Sequence, residues 1–328
     1  MEEKKTVTMK DVAREAGVSL GTVSNVLNGV SVGRDYQARV ETAVEKLGYR
    51  VNRQAKALRS SRSNIVEVIL PNLFNPFFAS LADCLSRELS RCSYQMLLFL
   101  TESDFDLEQA YMLMSEQQLV SGIVCLTYNP DLRIPEDIPT VSIDRYLGPG
   151  INVVTSDNYA GGVLAAQKLM ENGCGRLAFL RTGSSLPNET DKRQDGFVRA
   201  CVDSGVPFQC ECVNDGTPYT VFEDFLSKHI SGGRPDFDGL FCATDLLAHQ
   251  VHRSLLRMGL RVPEDVQIIG YDGVRCFGDQ EYFCSTIVQP VEEMAKACTD
   301  LILPRSPEKI PYNVHLSVRY ACGGTTYR

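Results

Sequence analysis

Residues 8–28 of the chain, TMKDVAREAGVSLGTVSNVLN, carry two short amphipathic patterns separated by a glycine. Thr8 followed by Asp11 forms a capping pair that opens a helix, and Met9, Val12, Ala13 and Ala16 recur behind it at helical spacing. Gly17 permits a left-handed turn. Ser19 caps a second helix, along which Val23, Val26 and Leu27 share one side. Small Ala13, turn-forming Gly17 and apolar Val23 and Val26 stand where two short helices crossing steeply need small, glycine and core residues. The pattern predicts a helix-turn-helix.

A third amphipathic helix is expected over Arg34–Leu47, with Val40, Val44 and Leu47 turned to the same small core and Gly48 ending it. The stretch YRVNRQAKALRSSRSN that follows is basic, places Ala and Leu at helical spacing and then turns Ser-rich. It reads as a short helix with too little apolar surface to stand alone, running into a linker.

Charge is distributed unevenly. Residues 1–62 hold 12 Lys/Arg against 7 Asp/Glu, so a segment of +5 is joined to a remainder of −13 within a net charge of −8. A basic segment on an acidic body attracts phosphate locally while the body stays off nucleic acid. The 328 residues exceed what one core usually serves, which predicts two or three units. With 44% hydrophobic and 23% charged residues the balance is globular, not disordered or fibrous. Apolar runs such as Tyr94–Leu100 are strand-sized, and the opening MEEKKTVTMK lacks an apolar signal region. No membrane partner and a cytoplasmic location are therefore expected.

The 12 cysteines, spread from Cys84 to Cys322, read as reduced and mostly buried thiols. Cys210 and Cys212 share one strand face in C-x-C spacing, but no second pair closes a zinc site. Asp245, His249 and His252 fall on one helical face, for which a solvated or capping role outweighs a metal. No metal and no cofactor are expected.

After Asn64, strand-like runs alternate with helical patterns, from IVEVIL through PFFASLADCLSREL and YQMLLFL to VQIIGYD. Such alternation predicts βα units and parallel sheets covered by helices. The pattern restarts near residue 161, which favours two doubly wound subdomains with a ligand cleft at the carboxyl ends of their strands. In this body no GxGxxG opens a helix, and neither GxxxxGK[ST] nor G-x-S-x-G occurs. The four histidines include none beside a plausible nucleophile. A binding protein is expected, not an enzyme.

The segments TMKDVAREAGVSLGTVSNVLNG and LGYRVNRQAKALRS resemble the lactose-repressor (LacI/GalR) family of bacterial transcription regulators, and the likeness extends over essentially the whole chain. It implies a small all-α helix-turn-helix domain over 1–50, a hinge helix and linker over 51–63, and a periplasmic-binding-protein-like α/β body over 64–328. The body would comprise an N-subdomain of about 64–160 and 287–315 and a C-subdomain of about 161–286 and 316–328, with three crossings. The implied function is sequence-specific repression at a near-palindromic operator on double-stranded DNA, by a homodimer controlled by a small effector, a sugar or sugar phosphate. A catabolite-control or purine-type regulator using a co-repressor, and a sugar-processing enzyme, are the alternatives.

The resemblance places Leu20, Gly21 and Asn25 toward bases, with Ser19, Thr22 and Ser24 contacting phosphate or base. Thr8, Asn28 and Tyr49 join the DNA-binding set. In the hinge, Tyr49, Asn52, Ala55 and Leu58 match the family's Tyr-x-Pro-Asn-x-x-Ala-Arg-x-Leu, while Val51 replaces the proline and Lys56 the arginine. Leu58 matches the family's minor-groove wedge, with Arg53, Lys56 and Arg59 near phosphates.

For the effector, Asn72 follows strand IVEVILP, Phe77 and Phe78 open the next helix, and Asp144 and Asp272 end PTVSID and VQIIGYD. Arg193 matches the family's effector-anchoring arginine. Thr244 and Asp245 stand where the family has Asn-Asp, and Gly273 where a second Asp is common. Carboxylates and an arginine fork around an aromatic face suit a polyhydroxylated sugar. Competing readings make the aspartates helix caps, put one phenylalanine in the core, and pair Arg193 with Asp195 or Asp191 on a solvated face.

Overall fold

The computed structural model describes residues 7–27, 30–49, 63–129, 131–183, 188–214, 217–276, 281–303 and 313–327. They fall into two compact units divided between Ser63 and Asn64. Asn28 and the hinge residues Asn52, Arg53, Ala55, Lys56, Leu58 and Arg59 lie outside the described residues.

The first unit holds helices α1 (Met9–Ala16), α2 (Leu20–Leu27) and α3 (Arg34–Leu47). Asp11 accepts from the Thr8 backbone N–H at 2.9 Å and from its hydroxyl at 2.6 Å, fixing the start of α1. Gly17 ends α1 in the left-handed conformation, φ 61°, and the Val18 N–H returns to the Ala13 carbonyl at 3.1 Å. Arg39 from α3 donates to the carbonyls of Ala16 at 2.6 Å and Gly17 at 2.9 Å, so the turn between the first two helices is tied to the third. Val12, Ala13, Ala16, Val23, Val40 and Ala43 form the buried core, with Leu20, Val26, Val44, Leu47 and Tyr49 half-buried against it.

The second unit is α/β. Strands β1 (Ile65–Leu70), β2 (Gln95–Leu100), β3 (Gly122–Cys125), β4 (Thr140–Ile143), β5 (Asn152–Ser156) and β13 (Asn313–Leu316) form a parallel sheet in the order β13-β5-β4-β3-β1-β2. Its helices are α4 (Pro76–Arg91), α5 (Phe105–Gln118) and α10 (Val291–Ile302), the last adding Met294, Ala295, Cys298 and Ile302 to the core under α4. The second sheet runs β14-β12-β11-β10-β6-β7, from β6 (Leu177–Gly183), β7 (Phe208–Asn214), β10 (Gly239–Cys242), β11 (Gln267–Asp272), β12 (Thr286–Val288) and β14 (Arg319–Ala321). Only its β12–β14 pair is antiparallel among the described ladders of these two sheets. Helices α6 (Asn158–Glu171), α7 (Lys192–Ser204), α8 (Phe222–His229) and α9 (Asp245–Arg257) accompany it, and β8 (Ile230–Ser231) with β9 (Arg234–Pro235) makes a small hairpin. Strands buried on both faces explain the near-continuous apolar runs such as Ile65–Leu70.

Sheet pairing moves the expected subdomain boundaries by a few residues. Residues 287–288 pair in the second sheet through β12, not in the first. Asn158 already opens α6, whose Ala165, Ala166 and Leu169 pack in the second core, so residues 158–160 go with it. Leu316 ends β13 in the first sheet.

Candidate functional site

The carboxyl ends of the parallel strands from both sheets meet at a cleft of about 90 Å³. Asn75, Phe77, Phe78, Tyr128, Asp144 and Arg145 line it from the first sheet's side, and Arg181, Asn188, Thr190, Arg193, Thr244 and Asp272 from the second's, with Gln289 at a crossing.

Arg193, in the first turn of α7, is 3% exposed. Its Nε donates to Asn158 Oδ1 at 2.7 Å, and its Nη1 to the Ala243 carbonyl at 2.6 Å. Asp272 Oδ1 lies 3.9 Å from Nη1, and the guanidinium carbon sits 3.6 Å from the centre of the Tyr271 ring. Nη2 has no partner among the described residues, so its two N–H groups remain for a guest in the cleft. The solvated-face reading of Arg193 does not hold: Asp191 pairs with Arg181 and Asp195 is exposed.

Asp272 has φ 122°, a strained value for a residue with a side chain, and Gln289 Nε2 donates to its Oδ1 at 2.8 Å. Burial pushes its carboxyl up from the ordinary carboxylate range, which the Arg193 guanidinium partly opposes. Gly273 beside it is left-handed at φ 78°, and a Cβ there would lie 2.7 Å from Val288 Cγ1, so a second aspartate does not fit. Asp144, also left-handed at φ 57°, accepts from the Thr155 hydroxyl and, at 3.4 Å, from Asn158 Nδ2. Thr244 caps α9, accepting the Leu247 N–H at 3.2 Å, which leaves its own O–H free to donate.

Phe77 and Phe78 line the cleft and are both also core, 5% and 7% exposed. Two expected residues stand apart from the lining. Asn72 instead spends its side-chain Oδ1 on the Asn75 N–H at 3.1 Å, and Asn75 takes its place in the wall. Asp245 is fully buried behind the wall, accepting the Val274 N–H at 2.7 Å, with the Cys284 thiol 3.3 Å away. Asn75, Arg145, Arg181 and Gln289 were missed by sequence reasoning. A polar residue within a few positions of a strand's carboxyl end is the signal that finds them. Among the described residues no cluster of His, Cys, Asp or Glu is arranged to hold a metal; the His249 ring packs on Phe283 at 4.6 Å.

On the first unit, Gly21 and Asn25 are exposed on α2, while Leu20, Thr22 and Ser24 are half-buried. Leu20 packs against the three-helix core. Ser19 Oγ accepts the Thr22 N–H at 3.1 Å and lies 2.9 Å from the Thr22 hydroxyl, so the exposed Ser19 side chain caps the helix. The Thr8 hydroxyl is engaged by Asp11.

Residues 8–52 match the family model of bacterial regulatory proteins, lacI family, and residues 166–326 match the periplasmic binding protein-like domain. The chain is 35% identical over 300 residues to the ribose operon repressor of Bacillus subtilis (strain 168), covering 90% of each. It is 30% identical over 315 residues to the HTH-type transcriptional repressor PurR of Aliivibrio fischeri (strain MJ11), covering 92% of each. The fold superposes on that of the Lac repressor bound to ONPG in the repressed state with a TM-score of 0.78 at 22% identity, covering 98% of this chain and 100% of that one. No helix of the described residues is long and apolar enough to cross a membrane. The chain belongs to the lacI family of bacterial regulatory proteins and is an effector-controlled, DNA-binding transcription regulator.

Proposed function

We propose that the protein is a repressor whose operator affinity is set by a small neutral sugar, a pentose, held in the cleft between the subdomains. The observation that carries this reading is Arg193: a buried residue of the cleft lining, clamped by Asn158, Ala243, Tyr271 and Asp272, with one nitrogen unspent among the described residues. Two of the arginines at the cleft have carboxylate partners in the wall, Asp272 for Arg193 and Asp191 for Arg181, which favours a neutral guest rich in hydroxyls over a free anion. Phe77 and Phe78 supply an apolar face, and Asn75, Asp144 and Gln289 supply further polar partners. The small volume and the name of the Bacillus subtilis relative support a monosaccharide of the ribose type.

In this reading the cleft binds and performs no covalent step, and the protein acts as a homodimer on operator DNA in the cytoplasm. Residues 1–50 read the operator through Gly21 and Asn25, and residues 51–63 join them to the body. The test is calorimetric titration of the full chain with D-ribose and with hypoxanthine, each repeated with operator bound. Saturable binding of D-ribose that changes operator affinity is expected. Binding of hypoxanthine alone would replace the sugar reading with a purine co-repressor.

A further inference from the structure

Arg181 ends up in the cleft by a route separate from Arg193. It lies on β6, 7% exposed, and its Nη2 pairs with Asp191 Oδ1 while Nε donates to the Thr182 carbonyl at 3.4 Å. Gly183, two residues on and therefore on the same face of the strand, makes the seat: a Cβ there would lie 1.9 Å from Arg181 Nη2 and 2.8 Å from Nε. A side chain at 183 would push the guanidinium out of this position. Asp191 in turn accepts the Asn188 N–H at 3.2 Å, so the carboxylate that holds Arg181 also holds the turn that brings Asn188 and Thr190 to the cleft wall. Nη1 of Arg181 has no partner among the described residues.

We propose that Arg181 is a specificity-determining residue of the effector cleft, donating its free Nη1 N–H groups to hydroxyl oxygens of the sugar that Arg193 does not reach. The inference rests on the sugar reading above and adds to it a second donor fork. A guanidinium whose charge is already met by a carboxylate keeps directional N–H donors without demanding an anion. Such a fork discriminates by hydroxyl pattern, because a sugar lacking the matching oxygen leaves buried donors unpaired. Gly183 and Asp191 are positioning residues that act through Arg181.

The experiment measures affinities of the full-length protein for D-ribose, 2-deoxy-D-ribose, D-xylose and D-ribose 5-phosphate in wild type, Arg181→Met and Gly183→Ala. Gly183→Ala retains the arginine and its carboxylate but displaces the guanidinium. Both variants are expected to lose about tenfold or more in affinity for the preferred pentose. They should also flatten its preference over the deoxy or epimeric sugar, a ratio that a general loss of stability does not move. Operator binding in the absence of sugar should stay within twofold of wild type, a readout that separates a folded variant from a collapsed one. If wild type binds a pentose and both variants keep its affinity and selectivity, Arg181 is structural only and the inference is overturned while the sugar reading stands. A preference of wild type for D-ribose 5-phosphate that Arg181→Met abolishes overturns the neutral-hydroxyl assignment. If wild type binds none of the sugars, the sugar reading fails and this inference fails with it.

Discussion

Gly162 on α6 and Gly196 on α7 meet where the two helices cross: a Cβ on Gly162 would lie 2.0 Å from the Arg193 carbonyl oxygen, and one on Gly196 2.0 Å from that of Tyr159. The contact fixes the backbone from which the Arg193 side chain reaches the cleft. Helix propensity favours alanine over glycine by about 1 kcal/mol, but the obstructing atoms are main chain and cannot step aside. Gly196→Ala should therefore destabilise the body by about 1–3 kcal/mol. It should also weaken D-ribose binding by about tenfold by shifting Arg193. Thermal unfolding and calorimetry on the same preparation check both; an unchanged midpoint would mean that the helices separate at little cost.

Arg193→Ala should abolish the effector response while operator binding persists. Truncating one partner of a buried, hydrogen-bonded charge pair costs about 2–5 kcal/mol. The substitution also removes the group that opposes the upward push on Asp272. A carboxyl whose folded pKa lies above its unfolded value near 4 adds stability below that value and loses it as pH rises through the folded pKa. The deficit of Arg193→Ala in unliganded melting midpoint should therefore grow from pH 5 to pH 8. Retained sugar affinity in this variant would move the anchor elsewhere.

Much of the fold was legible because its determinants are local. The 8–28 stretch carries its own caps and turn, and Ile65–Leu70 and Gln267–Asp272 are mainly apolar segments of strand length. In the cleft, position at the end of a strand singles out Asp144 and Asp272, while Phe77, Phe78 and Thr244 stand at the helix starts that follow strands and Arg193 is singled out by the family match. Asn72 and Asn75 are both asparagines after β1, and which one lines the cleft depends on the turn closed by the Asn72 side-chain Oδ1. Asp245 is turned inward by the N–H of Val274, 29 residues away. Arg181 depended on a partner ten residues on and on the empty seat at Gly183, neither of which any periodicity signals.

Glu67 breaks the apolar run of β1. It is 1% exposed, its Oε2 accepts from the Ser115 hydroxyl, its Oε1 has no hydrogen-bond partner among the described residues, and burial pushes its carboxyl up to about 7. The folded value exceeds the unfolded one, so its contribution is present below about pH 4 and is lost as pH rises through 7. Glu67→Gln should leave stability at pH 5 close to wild type and raise it at pH 8, by up to about 3 kcal/mol. Chemical denaturation at the two pH values measures the difference. Equal midpoint shifts at both would show that Glu67 does not titrate in this range.

Gly21 and Asn25 are exposed on the same helix but test different things. The nearest atom to a Cβ at Gly21 is Ser19 Oγ at 3.6 Å, so Gly21→Ala fits without strain and should stabilise α2 by about 0.5–1 kcal/mol. Any loss of operator affinity in that variant then reports a surface that must approach DNA closely, not a damaged fold. Asn25 can accept from and donate to one base edge, with adenine the matching partner, and Asn25→Ala should cost about 1–3 kcal/mol at the operator. On random DNA, where phosphate contacts dominate, the same variant should bind within a few tenths of a kcal/mol of wild type. Filter binding or fluorescence anisotropy at one fixed salt concentration compares the two. Equal losses on both DNAs would make Asn25 a backbone contact and leave base readout to other residues of α2.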